Sequence, residues 1–408
     1  MNQPYQSITG CRVSASASLE TILEMGLQPL ANAFKKGPDY PELKIPLSLL
    51  FCPDSGLIQI RETVDKEALF KNYVWVSGTA AGTRDYARLF ASRAQAVAQK
   101  SNGFVVEVAS NDGTFLSPFQ EDGWKVLGVD PASNIAKEAC ARGIETWDQF
   151  WDESVAKEVF SKRGKADLVI ARNVLPHVSE LSRVVQGLAD VLDSDGVAVV
   201  EFHDAGIIMK ELHYDSIYHE HLCYFSIASL SGLLERHGLY PFHLDRSPIS
   251  GGSRVLYLRK YKSSPSPELI RAQEEERDLG VLSLQGWRQF SDQVQAHRLR
   301  TLDILRSFEG KKVAAFGASA RSSTYLNYCG LGASQIPFLI DNNPMKQGYF
   351  SPGGSIPIVS LERGLAQEPE VLFLTAWNFA GEIMELCRTK GFQGQFLIPF
   401  PNEPRLIR

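Results

Sequence analysis

FVVEVASNDGTFLSPFQEDGWKVLGVD, residues 104–130, decides the fold. Its apolar opening, FVVEVA, reads as a strand buried on both faces. The run breaks at SNDG, a tight turn, and TFL leads into a helix. KVLGVD then reads as a second strand and closes on Asp130. Strand, turn, helix, strand and acid in that order make half of a nucleotide-binding α/β fold. In that pattern the turn brings backbone N–H groups to a ligand, and the acid accepts hydrogen bonds from ribose hydroxyls. A dinucleotide site needs G-x-G-x-x-G to let the chain approach a pyrophosphate. Here the turn holds one glycine, Gly113. A ligand with a ribose but no phosphate fits such a turn better, which points to S-adenosylmethionine (SAM). Glu107, Ser110, Asn111, Asp112 and Asp130 are the candidate cofactor-binding residues. The alternative is an α/β domain whose turn binds nothing.

Downstream, ADLVIARNVLPHV (166–178) reads as a further strand running into a loop. Asn173 and His177 follow its carboxyl end, where ligands bind in sheets of this kind. Asn173 joins the cofactor set; His177 is a site residue or a satisfied core histidine. GVAVVEFHD (196–204) is another strand. YDSIYHEHLCYFS (214–226) follows, placing Tyr218, His219, Glu220 and His221 side by side. Imidazole titrates near neutral pH and can take up and return a proton, and a neighbouring carboxylate can orient it. An extended backbone would put His219 and His221 on one face; a turn would let all four line one mouth. If the sheet is doubly wound, Asn173, His177, His203 and residues 218–221 converge on one edge. HEH lacks the i, i+4 spacing of a helical zinc motif. A surface polar loop or a metal site is the competing reading. GGSRVLYLRK (251–260) reads as a late strand.

Upstream, residues 1–85 form a first unit carrying CRVS (11–14) and CPDS (52–55). Paired C-x-x-C turns make a tetrahedral zinc site, but here Ser14 and Ser55 stand second in each pair. Only Cys11 and Cys52 of a four-cysteine site remain, so two turns without metal are expected. SLETILEMGLQPLANAF reads as a short helix and a loop, and PLSLLFCPDSGLIQI as a hairpin. Tyr73, Trp75 and Ser77 either pack in the core or line a substrate mouth. The chain continues into an amphipathic helix ending near residue 99. Residues 86–262 make the nucleotide-binding unit. From 263 to 408, two charged linker helices lead into a small α/β unit, with KKVAAFGASARSSTYLNY (311–328) as strand, turn and helix. Gly317, Ser319, Arg321, Asp341, Lys346, Trp377 and Asn378 are its candidate ligand positions, for a phosphorylated or nucleotidyl group.

The composition excludes several function classes. A net charge of −5 with no Lys/Arg run advertises neither nucleic acid nor an anionic membrane. No apolar run approaches a membrane span of roughly 20 residues. The first residues lack the basic and apolar regions of a signal peptide. Six scattered cysteines suit a reduced cytoplasm.

Taken together, MGLQPLANAF, SNDGTFL, GVDP, ARNVLPHV, YHEH, GGSR, DNNPMKQG and AWN, in this order and over nearly the whole chain, resemble the SAM-dependent sugar C-methyltransferases of deoxysugar biosynthesis. The resemblance implies three units: an N-terminal zinc-knuckle domain, a Rossmann-like SAM-binding core and a C-terminal α/β domain. It implies methylation at C-3 of a dTDP-linked 4-keto-6-deoxysugar. It marks Tyr73, His177, Tyr218, Glu220 and His221 as site residues. Two departures stand out. Family members carry Cys at the positions of Ser14 and Ser55, and usually Gly at that of Ala109.

A hydrogen beside a ketone is removable only when the enolate is stabilised, so a base and an oxyanion donor are required. His221 is the expected base, with Glu220 positioning imidazole or substrate. Tyr218 is the rival base or the enolate donor. His177 is a second donor candidate, and Tyr73 covers the sugar. Two rivals remain: a SAM-dependent enzyme acting on another acceptor, and a non-catalytic homologue serving as a partner subunit.

Overall fold

The computed structural model describes residues 4–70, 78, 81–248 and 251–408. Three large sheets organise them, with Tyr5–Ser7 and Glu62–Val64 making a fourth, two-stranded one. The central sheet has seven strands in the order Tyr240–Ser247, Ser253–Arg259, Leu192–His203, Ala166–Arg172, Phe104–Val108, Lys125–Val129, Thr146–Trp147. The last five of these run parallel, and Ser253–Arg259 lies antiparallel to both of its neighbours, so that it alone runs against the rest. FVVEV is buried at every position and Ala166–Arg172 at all but two, as a sheet covered by helices on both faces requires. The order reverses between Phe104–Val108 and Ala166–Arg172, so the crevice at their carboxyl ends is the switch point where ligands bind. This is the Rossmann-like α/β core expected from residues 104–130.

The first unit is a four-stranded antiparallel sheet, and it corrects one expectation. Glu20–Pro29 is a strand, not a helix and loop. Its ladder with Lys44–Cys52 slips twice, between Thr21 and Leu23 and between Glu24 and Leu27. Gly26, at φ +73°, lies inside the second slip. Bulges of this kind shift the inward face by a residue, which hides the alternation from a sequence reader. The hairpin from Lys44–Cys52 to Leu57–Ile60 forms as expected. The fourth strand is Cys223–Tyr224, lent by the segment that follows the YHEH stretch.

The C-terminal sheet runs Ile358–Val359, Leu339–Ile340, Val313–Phe316, Val371–Leu374, Gln395–Ile398, Arg405–Ile407, parallel except for the last strand. Two helices, Pro267–Leu279 and Leu284–Arg306, precede it, as the charged linker pattern predicts. Its own switch point lies between Val313–Phe316 and Val371–Leu374.

Candidate active site

The central switch point opens into a cavity of about 1140 Å³. Glu107, Ser110, Asn111, Asp130, Asn173, His177 and Glu220 line it. Three of the turn residues have left-handed backbones: Ala109 at φ +55°, Asn111 at +52° and Gly113 at +76°. Asn and Gly adopt this conformation readily, whereas at Ala109 it costs roughly 1–2 kcal/mol. The turn also needs Gly128 on the neighbouring strand, where a Cβ would fall 2.3 Å from Ser110 Oγ.

Asp130 Oδ2 accepts from the Asn111 N–H at 2.8 Å and Oδ1 from the Ala132 N–H at 2.9 Å, which fixes the carboxylate at the cavity wall. Burial raises its pKa against those two bonds. Asp112 does not join the wall. Its carboxylate turns to Arg142 at 2.5 Å and to the Gly78 N–H at 3.2 Å. It braces the turn from behind, so contact with a ligand is not its role in this geometry.

Arg172 was missed in the sequence, although it ends the apolar run VIAR one residue before Asn173. It stands between two buried glutamates, with Nε 2.8 Å from Glu201 Oε2 and Nη1 3.8 Å from Glu107 Oε1. Burial pushes Glu107 up to about 8; Arg172 opposes the rise, and Asp112, Glu201 and Asp130 add to it. Among the described residues Glu107 Oε2 meets no hydrogen-bond partner. A buried acceptor left open at a cavity wall is suited to a ligand's donors or positive charge. The acidic wall, the left-handed turn and the fixed Asp130 carboxylate fit the ribose and cationic sulfonium of SAM.

The YHEH stretch is a turn closed by the His221 N–H on the Tyr218 carbonyl at 2.9 Å. It realises neither simple expectation. Tyr218 and His221 come together, with ring centroids 4.1 Å apart and Tyr218 Oη 2.8 Å from His221 Nε2. His219 and Glu220 face the first unit instead. His219 Nε2 donates to the Pro46 carbonyl at 3.0 Å, and Glu220 Oε1 accepts from Asn32 Nδ2 at 2.6 Å. Burial pushes Glu220 up to about 7 against the Asn32 bond. Asn32 lies within the PLANAF stretch, which sequence reading had assigned only to a loop.

His221 Nδ1 donates to the Ser216 carbonyl at 2.9 Å. A carbonyl only accepts, so the proton sits on Nδ1 and Nε2 is the basic nitrogen. Tyr218 Oη therefore donates to Nε2. Burial and His177 hold His221 well below the ordinary imidazole value; the Ser216 carbonyl works against them and Arg321 with them. His177 packs 4.9 Å away, centroid to centroid, and its Nδ1 donates to the Glu220 carbonyl at 2.7 Å. Burial lowers His177 as well, keeping it neutral. Its Nδ1 proton is thus spent on the turn rather than aimed at an acceptor. His203, at the end of Leu192–His203, has Nε2 3.5 Å from His213 Nδ1, and burial holds it well below the ordinary imidazole value. Tyr218 and His221 are not part of the cavity wall; they adjoin it through His177 and Glu220. Tyr73, Trp75 and Ser77 lie outside the described residues.

The knuckle positions converge but do not make a metal site. Cys11 Sγ lies 3.2 Å from Ser55 Oγ, and Ser14 Oγ 3.5 Å from Cys52 Sγ. Burial raises the Cys11 thiol, but hydrogen bonds from Ser14, Ser55 and Val13 together outweigh it and bring the thiol to about 7. Two thiols and two hydroxyls that do not ionise are a poor match for tetrahedral zinc. Among the described residues no group of three or more His, Cys, Asp or Glu side chains is placed to hold a metal ion.

In the C-terminal unit the candidate ligand positions are committed to one another. Asp341 accepts from the Ala318 and Asn343 N–H groups, both at 2.8 Å. Lys346 Nζ donates to the Ala318 carbonyl at 2.8 Å, and Ser319 caps its helix reciprocally with Ser322. Arg321 and Trp377 both bind Asp215.

Sheet order, acidic turn and carboxyl-edge cavity define the class: a SAM-dependent methyltransferase. Residues 82–244 match a family model described as "Methyltransferase domain", residues 248–401 "C-methyltransferase C-terminal domain", and residues 11–70 "Putative zinc binding domain". The C-methyltransferase NovU of Streptomyces niveus is 32% identical over 417 residues, covering 100% of this chain and 99% of its own. The chain belongs to this C-methyltransferase family and is a SAM-dependent enzyme. Two solved structures are also similar. One is the SAM-bound magnesium protoporphyrin IX methyltransferase of Synechocystis PCC 6803, at 18% identity, 44% of this chain, 80% of that one and TM-score 0.34. The other is the PH0226 protein of Pyrococcus horikoshii OT3, at 15% identity, 47% of this chain, 97% of that one and TM-score 0.37.

Proposed function

We propose that the enzyme methylates the carbon beside the ketone of a dTDP-linked 4-keto-6-deoxysugar. The observation that carries this reading is the Tyr218–His221 pair, a neutral base and a hydroxyl donor 2.8 Å apart beside the cavity. An acidic α-carbon and its carbonyl oxygen are about 2.4 Å apart from standard bond lengths. A base and a donor at matching separation can serve both atoms of one enolisable ketone. On this reading the ketone oxygen draws the Tyr218 hydroxyl off His221 and frees Nε2. His221 Nε2 then takes the α-proton while Tyr218 donates to the oxyanion. The imidazolium so formed pairs with the negative charge developing on the sugar. His177 and Glu220 hold the turn, and Glu107, Ser110, Asn111, Asp130 and Asn173 hold the cofactor. SAM, when bound, supplies the electrophilic methyl. A cavity of about 1140 Å³ exceeds the roughly 300–1,000 Å³ of a single small-molecule site, in keeping with two ligands. The six free cysteines suit a reducing compartment such as the cytoplasm.

The test is mass spectrometry of the enzyme with SAM and a panel of dTDP-4-keto-6-deoxysugars. The expected result is a gain of one methylene, together with exchange of the α-hydrogen for deuterium in heavy water. SAM binding without product from any panel member would overturn the sugar assignment and favour another acceptor.

A further inference from the structure

The turn that fixes His221 is gripped from a different unit of the chain. Residues Tyr214–Ser216 form one short helical turn, and its last carbonyl, that of Ser216, accepts the Nδ1 proton of His221 at 2.9 Å. The middle residue, Asp215, is buried in the interface with the C-terminal sheet. Its Oδ2 accepts from Arg321 Nε at 3.0 Å and Trp377 Nε1 at 2.7 Å, and its Oδ1 from Arg321 Nη2 at 2.9 Å. A forked guanidinium pair fixes both position and orientation. Arg321 stands in the first turn of the helix after Val313–Phe316, and Trp377 follows Val371–Leu374. These two strands flank the switch point of the C-terminal sheet, the place where such a sheet ordinarily takes a ligand. Here that crevice receives a carboxylate of the catalytic unit.

The first residue of the turn is held from the same side. Tyr214 Oη donates to His297 Nδ1 at 2.8 Å, while His297 Nε2 donates to the Pro399 carbonyl at 2.8 Å. Tyr325, Tyr328 and Phe400 pack around the Tyr214 ring. Two of the three turn residues are thus set by C-terminal partners, and the third presents the carbonyl that selects the His221 tautomer.

We propose that Asp215, Arg321 and Trp377 are positioning residues for the base: through them the C-terminal unit holds the Ser216 carbonyl that keeps the proton of His221 on Nδ1 and its Nε2 free to act. This rests on the reading of His221 as base only for its catalytic consequence; the tautomer itself is a property of the resting enzyme. The C-terminal unit is then part of the catalytic apparatus, although none of these three side chains touches the reacting atoms.

The experiment uses the full chain and three variants that keep size or charge: Trp377→Phe, which removes one N–H, Arg321→Lys, which removes the fork, and Asp215→Asn. Long-range proton–nitrogen NMR on histidine-labelled protein reads the His221 tautomer, with His221→Gln assigning the resonance. The wild type is expected to show a single Nδ1–H tautomer. Trp377→Phe and Arg321→Lys are expected to show a mixture, with α-proton exchange of the acceptor at least tenfold slower and SAM affinity within twofold of wild type. An unchanged tautomer in variants that remain folded by thermal melting overturns the proposal. His221→Ala separates the two ideas: full α-proton exchange in that variant removes His221 as base, while the tautomer measurement still decides the positioning claim.

Discussion

At the residue scale the site turns on where single protons sit. His221 carries its proton on Nδ1 because Ser216 offers a carbonyl there, and Tyr218 fills the free Nε2. His221→Ala is therefore expected to lose most turnover with SAM affinity near normal. Tyr218→Phe is expected to slow α-proton exchange by about 10²-fold, the usual effect of removing one oxyanion donor. Loss of SAM binding in His221→Ala, measured by calorimetry, would sink this assignment. The pH profile follows from the same residue. Burial and His177 depress the His221 pKa well below 6.5, so the active neutral form persists as pH falls through 6.5. The acid limb of kcat/KM is expected below pH 6.5, with no loss between pH 8 and 6.5 from this group. A limb centred at or above 6.5 and abolished in a His221 variant would contradict it.

At the element scale, two short turns change meaning once they are folded. The knuckle turns meet, but each thiol faces a hydroxyl rather than a second thiol. The unit is expected to stand on its sheet and on Arg12, whose guanidinium reaches the Ile60 carbonyl at 2.5 Å and Thr63 Oγ1 at 2.6 Å. Treatment with a strong zinc chelator is accordingly expected to leave the melting temperature unchanged. Ser14→Cys/Ser55→Cys, which restores the four thiols, is expected to take up one zinc ion and become chelator-sensitive. Stoichiometric zinc in the unaltered protein, by elemental analysis, would show that the hydroxyl positions do not prevent binding. The YHEH turn is the second case. One of its side chains faces the Pro46 carbonyl, one faces Asn32, and two face each other, so four adjacent residues do three different jobs.

At the scale of the whole molecule, the three larger sheets meet around that turn, and its neighbouring titratable side chains are buried. Burial has a cost that depends on pH. Burial raises Glu107 to about 8, Glu220 to about 7, and Glu276 as well. Each is ionised above about 4.5 in the unfolded chain, so stability is lost as pH rises through the folded values. Burial lowers His177, His203, His219, His221 and His297. The unfolded chain takes up those protons below 6.5, so stability is also lost as pH falls below that value. The two sets oppose each other as pH falls from about 6.5 towards 4.5. Thermal melts of the apoenzyme are expected to decline above pH 6.5, where the carboxylate loss is no longer opposed by the histidines. Glu220→Gln is expected to remove part of the alkaline decline, about 1 kcal/mol between pH 6.5 and 8, because its folded value lies near 7. A wild-type melting temperature that climbs steadily from pH 6.5 to 8 would refute this account.

Local pattern alone determined the core. FVVEVA and KVLGVD are strands because their apolar runs are too short for buried helices and end on turn residues, and Asp130 reaches the cavity because a parallel strand must deliver its last residue to the carboxyl edge. The order of motifs likewise carried the family. Three things required the folded chain. Glu20–Pro29 is a strand whose bulges erase the period-2 signal. Asp112, typed as a cofactor ligand by position, is claimed by Arg142, thirty residues away. The YHEH turn acquires its geometry from Asn32, Pro46, Pro176 and, through Asp215, from Arg321 and Trp377. Spacing along a chain predicts which side chains share a strand or helix face. It carries no information on which of two adjacent side chains will meet a partner 106 or 162 residues away. That choice follows from packing three sheets against one loop, where every buried donor and acceptor must find its mate.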